Sequence, residues 1–161
     1  DLNKVTVDSV VELSKKKEII LEFINYRIKE MIDIDNSLIG ENCVYAVYID
    51  NHRFFSSLIK NLHNDNFDEI SETLCEIYKS YSILKIPFDF LLKIYEITSI
   101  ALKWYLSKKS YDEIFPFFQK IEENHNKFIN ISKSFEVDRD RVIGDSEILR
   151  EKIIENLLNE Y

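Results

Sequence analysis

From Phe67 to Leu106 apolar residues recur at three- and four-residue spacing, and one dipeptide, Ile86-Pro87, interrupts them. That spacing is the period of an α-helix. Phe67, Ile70, Leu74, Ile77, Tyr78 and Tyr81 share one face, with Asp68, Glu69, Glu72, Glu76 and Lys79 opposite. Proline suits the first turn of a helix and pushes the residue before it out of helical geometry. The pattern therefore predicts one helix ending near Leu84 and a second opening at Pro87. The remainder of the chain points the same way. Two glycines and two prolines in 161 residues supply too few tight turns for a β-protein or a doubly wound α/β protein. The expected fold class is all-α.

Taken in order, the chain predicts seven helices. Asp8 and Ser9 cap a short first helix ending near Leu13, and Lys15-Lys16-Lys17 interrupt it. A second helix carries Ile20, Phe23, Ile24, Ile28 and Met31 on one face, and Asp33–Gly40 is a turn-rich connection. The third runs from about Glu41 to Leu62, with Val44, Tyr48, Phe55, Leu58, Ile59 and Leu62 as its stripe and His52 at the edge. His63–Asn66 is a loop. The helix from Phe88 to Leu106 is apolar on nearly every side, which places it centrally or against a partner subunit. Ser110 and Glu113 match a capping box after a loop at Ser107–Ser110, with Pro116 delaying or kinking the start. That helix carries Ile114, Phe118, Ile121, His125, Phe128, Ser132 and Phe135 in one stripe. Residues 1–135 form the predicted domain, and 136–161 a charged linker and connector helix. Asp145 and Ser146 cap that helix, whose stripe is Ile148, Leu149, Ile153, Ile154, Leu157 and Leu158. It packs back on the domain or leads into a downstream module.

A formal charge of −8 argues against nucleic acid, whose phosphates need a basic footprint, and against an anionic membrane surface. Cys43 and Cys75 stand alone, without a CxxC pair, so reduced thiols in a cytoplasmic protein are expected. No apolar run reaches transmembrane length, and the sequence shows no signal peptide. The first residue is Asp1 rather than Met, which predicts a piece of something longer.

Catalytic signatures are missing. There is no nucleophile-elbow serine, Gly-rich phosphate loop or HExxH. Glu122-x-x-His125 is half of what a carboxylate-bridged di-iron bundle needs, and the second ExxH does not occur. Neither an enzyme nor a metal centre is expected.

The stretch IYKSYSILKIPFDFLLKIYEI, from Ile77 to Ile97, resembles the proximal-helix segment of the sensor globins, the globin-coupled sensor family. In that family a helix carries the haem-ligating histidine, and an apolar-Pro pair five and six residues later opens the next long helix. Tyr81, Ile86, Pro87 and Asp89 take those places here. The resemblance extends through Phe88–Leu106 and the closing helix to Phe135, and more loosely back to Phe67-Asp68-Glu69. The departure matters most. Neutral imidazole binds ferrous haem iron without losing a proton, whereas tyrosine binds as phenolate from an ordinary pKa of about 10.

The resemblance implies a globin-like domain of six to seven helices, acting as the regulatory sensor of a bacterial signalling protein, for example upstream of a diguanylate cyclase. It implies a homodimer through residues 88–106 and 114–135, and an output domain in the same chain. Haem would lie between the helix at 41–62 and the helix at 67–84, lined by Phe55, Leu58, Ile77, Tyr78, Leu84, Phe88 and Leu91. Tyr81 would ligate it, or His52 or His125 would substitute. In the preferred alternative Tyr81 fills that space, haem is absent, and a non-haem ligand or a partner is sensed. A plain helical interaction module is the rival. The family's distal tyrosine is not carried over to Tyr26.

Overall fold

The computed structural model describes residues 4–64 and 66–141. All regular structure in them is helical: α1 (Val7–Ile34), α2 (Glu41–Asn61), α3 (Phe67–Leu84), α4 (Asp89–Tyr105), α5 (Lys108–Glu123) and α6 (His125–Arg141). The fold is all-α. The predicted helix at 145–161 lies outside the described residues. No helix among them is long and apolar enough to cross a membrane.

The lysine run does not interrupt α1, which merges the first two predicted helices. Lysine is a good helix former, and the buried face continues across the run as Leu13, half-buried Lys17, Ile20, Ile24 and Ile28. The Lys17 stem takes an apolar position while its Nζ reaches Ser56 Oγ at 3.0 Å. Thr6, not Asp8 or Ser9, is the N-cap.

The Ser110 capping box is also corrected. Helix α5 starts one turn earlier, capped by Ser107, whose hydroxyl accepts from the Ser110 N–H. Pro116 sits inside the helix and neither delays nor ends it. Glu113 serves another helix. Its carboxylate accepts from the Thr6 N–H at 2.7 Å and from Ser9 Oγ at 2.7 Å. Glu12 of α1 returns the arrangement, accepting from the Ser107 N–H at 2.7 Å, from Ser107 Oγ at 2.8 Å and from Ser110 Oγ. Thr6-x-x-Ser9-x-x-Glu12 and Ser107-x-x-Ser110-x-x-Glu113 thus cap each other's helices. Burial pushes both carboxyls up, but these hydrogen bonds outweigh it, and each lies below its ordinary value.

The predicted closing helix from Ser110 to Phe135 is two helices, broken at Asn124. The Asn124 side chain and backbone N–H both donate to the Lys120 carbonyl, at 2.7 and 3.2 Å. This break lets one stripe change partners: α5 packs on α1 and α4, α6 on α3. Helix α6 continues to Arg141, so the composition change after Phe135 does not end it.

Helix α2 buries a broader face than its predicted stripe. Val47, Phe54, Phe55, Leu58, Asp50 and Asn61 are buried, while Val44, Tyr48 and Ile59 are only partly so. Helix α4 is not covered all round, since Ile100 is 50% and Trp104 79% exposed. It opens at Asp89, two residues after Pro87. Phe54 and Phe55 of α2 meet Phe118 of α5 at centroid distances of 5.7 and 6.4 Å, tying the helices into one core.

Candidate functional site

Helix α3 carries both Tyr78 and Tyr81 and forms one wall of the groove described below. Its end is a Schellman motif. Lys85 adopts the left-handed conformation, the Ile86 N–H donates to the Tyr81 carbonyl at 2.9 Å, and the Lys85 N–H donates to the Ser82 carbonyl at 3.2 Å. Ile86 and Tyr81 are both buried, and Pro87 prevents the helix from resuming.

Tyr81 is fully buried, and its hydroxyl has no hydrogen-bond partner among the described residues. Burial, then the charge of Asp50 on α2 and the neighbouring Tyr78, push its pKa well above the ordinary value. It is therefore held as a phenol. The gap left where α2, α3 and α4 meet is about 20 Å³, lined by Asp50, Phe55, Ile77, Leu91, Tyr95 and Thr98 among others. That is room for about one water.

The remaining sequence-predicted residues disperse around this point. Phe55, Ile77 and Leu91 line the small gap. Leu58 is buried elsewhere on α2. Leu84 is buried at the end of α3, where its carbonyl accepts from the Cys43 thiol at 3.8 Å. His52 looks toward α1: burial lowers its pKa, Glu18 raises it and Lys17 lowers it again. His125 joins Tyr78, not Tyr81. Tyr26 is 62% exposed.

Tyr78 is the centre of the buried polar cluster. Its hydroxyl lies 2.6 Å from His125 Nδ1 on α6 and 3.0 Å from Tyr95 Oη on α4. Its ring stacks on Phe128 at 5.1 Å and on Phe88 at 5.9 Å. Burial pushes the Tyr78 pKa up to about 12, against a lowering by the Tyr95 hydrogen bond. Burial lowers the His125 pKa, opposed by Asp89 and Glu122. The imidazole is thus neutral near pH 7, and Tyr78 donates to Nδ1 or accepts from it according to the tautomer. In either case Nε2 is buried without a partner among the described residues. The half-motif Glu122-x-x-His125 is split between exposed Glu122 on α5 and buried His125 on α6. Among the described residues no cluster of three His, Cys, Asp or Glu could hold a metal ion.

On the other flank of α3 lies an open apolar groove of about 560 Å³, floored by Phe67, Leu74, Cys75, Phe117, Ile121 and Phe128. Phe67 of α3 and Phe117 of α5 stack across it at 5.2 Å. Lys120 and Lys127 stand on its α5–α6 side. Burial raises the Cys75 pKa, the nearby Lys79 opposing, so it stays a thiol. Periodicity could not reveal this groove, which exists because α5 turns into α6 at Asn124. The polar run Glu122–Asn126, set in an apolar stripe, is the one local sign of that break.

The chain is similar to calcium-dependent protein kinase 5 of Plasmodium berghei (strain Anka), 27% identical over 135 residues. The match covers 84% of this chain and 20% of the kinase, so the chain spans about a fifth of that relative's length. No protein-family model and no solved structure matches the chain.

Proposed function

We propose that the chain is a globin-like regulatory domain of a larger signalling protein, that it works without haem, and that it responds to a non-haem ligand or a partner. The observation that carries this is the complete burial of Tyr81. A haem needs a slot between α2 and α3, and the gap there holds about one water. A ligating tyrosine must ionise, and burial with Asp50 nearby opposes that. The apolar groove between α3 and α5–α6 is the larger concavity and the better candidate for an input surface.

The similarity to part of a kinase suits a unit embedded in a longer signalling chain. Phosphoryl transfer itself needs a Gly-rich loop and a lysine on a strand. The proposed role is control of such an activity carried elsewhere in the longer protein. An output domain such as a diguanylate cyclase, a cytoplasmic setting and a homodimer through 88–106 and 114–135 complete the proposal. Exposed Ile100 and Trp104 on α4 support that dimer surface.

Titration with hemin tests the reading. The expected result is a broad, non-saturating absorbance with no stoichiometric Soret band. A sharp stoichiometric band that disappears in Tyr81→Phe overturns it.

A further inference from the structure

The α3/α5–α6 groove has the size and the charge of a site for an aliphatic chain with an anionic head. We propose that it binds a free straight-chain fatty acid of about ten carbons, with the methyl end at the Phe67–Phe117 pair and the carboxylate at the lysines of the α5–α6 wall. The inference names the ligand class of the input surface proposed above and rests on that reading.

Shape is the first argument. The groove holds about 560 Å³, within the range of small-molecule sites. Its α3 wall runs from Phe67 to Cys75, about 12 Å of helix. An extended chain advances roughly 1.2 Å per bond, so about ten carbons match that length. The ring faces are already engaged. Phe67 and Phe117 stack on each other at 5.2 Å, and Phe128 stacks on Tyr78 at 5.1 Å. What remains for a ligand is ring edges with Ile70, Leu74, Ile121 and Ile131, which suits an aliphatic chain better than a flat ring.

Charge is the second. The sequence carries 29 acidic side chains against 21 basic ones, yet the charged groups lining the groove among the described residues are Lys120 and Lys127. Lys127 stands toward the Cys75 end. Burial raises the Cys75 pKa, the charges of Lys79 and Lys127 oppose it, and those of Glu76 and Glu72 add to it. Neither glutamate lines the groove, and Glu76 is paired with Arg53. The basic wall therefore attracts an anionic head, and the attraction weakens with salt.

The third argument is what a ligand would touch. Phe128 belongs both to the groove and to the buried cluster: the ring it stacks on is that of Tyr78, whose hydroxyl lies 2.6 Å from His125 Nδ1. A chain seated in the groove bears on Phe128 and so on the interior of the domain.

The test uses the full chain and a thiol already in place. Cys75 lines the groove, whereas Cys43 is buried. Hexanoate, octanoate, decanoate and dodecanoate are titrated by calorimetry below their micelle concentrations, with decanol as the uncharged control. Saturable one-to-one binding is expected, tightening about fourfold per added methylene up to decanoate and little beyond it. Decanol should bind roughly fivefold more weakly than decanoate, and decanoate should slow maleimide labelling of Cys75. The double variant Lys120→Gln, Lys127→Gln should bring decanoate down to the affinity of decanol and leave decanol unchanged. The proposal is overturned by the lack of saturable binding, by a decanoate preference that survives the double variant, or by binding that leaves Cys75 labelling unchanged. A Cys75 thiol shielded without ligand and released on dilution assigns the groove to a second copy and overturns it too. Hemin titration is scored separately: a stoichiometric Soret band overturns the haem-free reading, whereas loss of decanoate binding with no such band overturns this inference alone.

Discussion

Tyr78 and Tyr81 lie three residues apart on α3, both fully buried, and their surroundings differ in kind. Tyr78 turns toward α4 and α6, where its hydroxyl meets two polar partners and its ring two aromatic ones. Tyr81 has no hydrogen-bond partner among the described residues and is enclosed by apolar core. A similar contrast holds for the two flanks of α3. Where α2, α3 and α4 meet the gap is about 20 Å³, and the α5–α6 side opens into a groove of about 560 Å³. Sequence attention falls naturally on Tyr81, because the proline that follows it marks the spot. Beside Tyr78, the His125 Nε2 is buried with no partner among the described residues, and the groove leaves apolar surface uncovered.

The closed-versus-open contrast is broken most directly by truncating one aromatic on each flank. Phe55→Ala, in the closed core, is expected to cost about 3–5 kcal/mol. Phe67→Ala, on the rim of the groove, should cost under about 1 kcal/mol. Urea denaturation of both variants measures the difference, and equal losses would erase the distinction.

The two tyrosines give the next largest effect. Tyr78→Phe strands His125 Nδ1 and the Tyr95 hydroxyl, which should cost about 1–3 kcal/mol. Tyr81→Phe removes a buried hydroxyl with no hydrogen-bond partner and is expected to be neutral or slightly stabilising. A loss from Tyr81→Phe equal to that from Tyr78→Phe would mean that Tyr81 has a polar partner after all.

The smallest effect is a pH dependence. Burial places the folded His125 pKa below the ordinary value near 6.5. The unfolded chain therefore binds a proton first as pH falls. Stability is unaffected above about pH 7 and declines as pH drops through about 6.5, until the folded imidazole also protonates. His52 is shifted the same way, so the two must be separated. Melting temperatures at about pH 7.5 and 5.5 should fall less in His125→Gln than in the parent. The facing groups Asp89 and Glu122 limit the effect by partly offsetting burial. An unchanged difference would remove His125 from the account.

Much of the helix segmentation was legible because helical periodicity is local. The spans of α2 and α3 and the break at Ile86-Pro87 follow from spacing and from proline's missing N–H. The errors share one physical cause. Lys15-Lys16-Lys17 read as a break because the apolar surface receiving the Lys17 stem belongs to the folded molecule. Ser110 and Glu113 read as a local capping box, yet Glu113 caps Thr6, 107 residues away, and Ser110 bonds Glu12. The stripe from Ile114 to Phe135 runs through Asn124 without interruption, because the packing of α6 on α3 that accompanies the bend is not a local property. The stripe turns His125 inward but does not name Tyr78 as its partner, since helical spacing says which face is inward and not what stands opposite.

By itself, then, the sequence determined the all-α class, most of the helices and the inward direction of both tyrosines, because backbone geometry and apolar spacing are set within a few residues. Tertiary structure alone decided that Tyr78 gains His125 and Tyr95, that the Tyr81 hydroxyl finds no partner among the described residues, and that a groove opens between α3 and α5–α6. Each depends on which helix faces which, and hydrogen bonds and cavities are properties of two surfaces meeting.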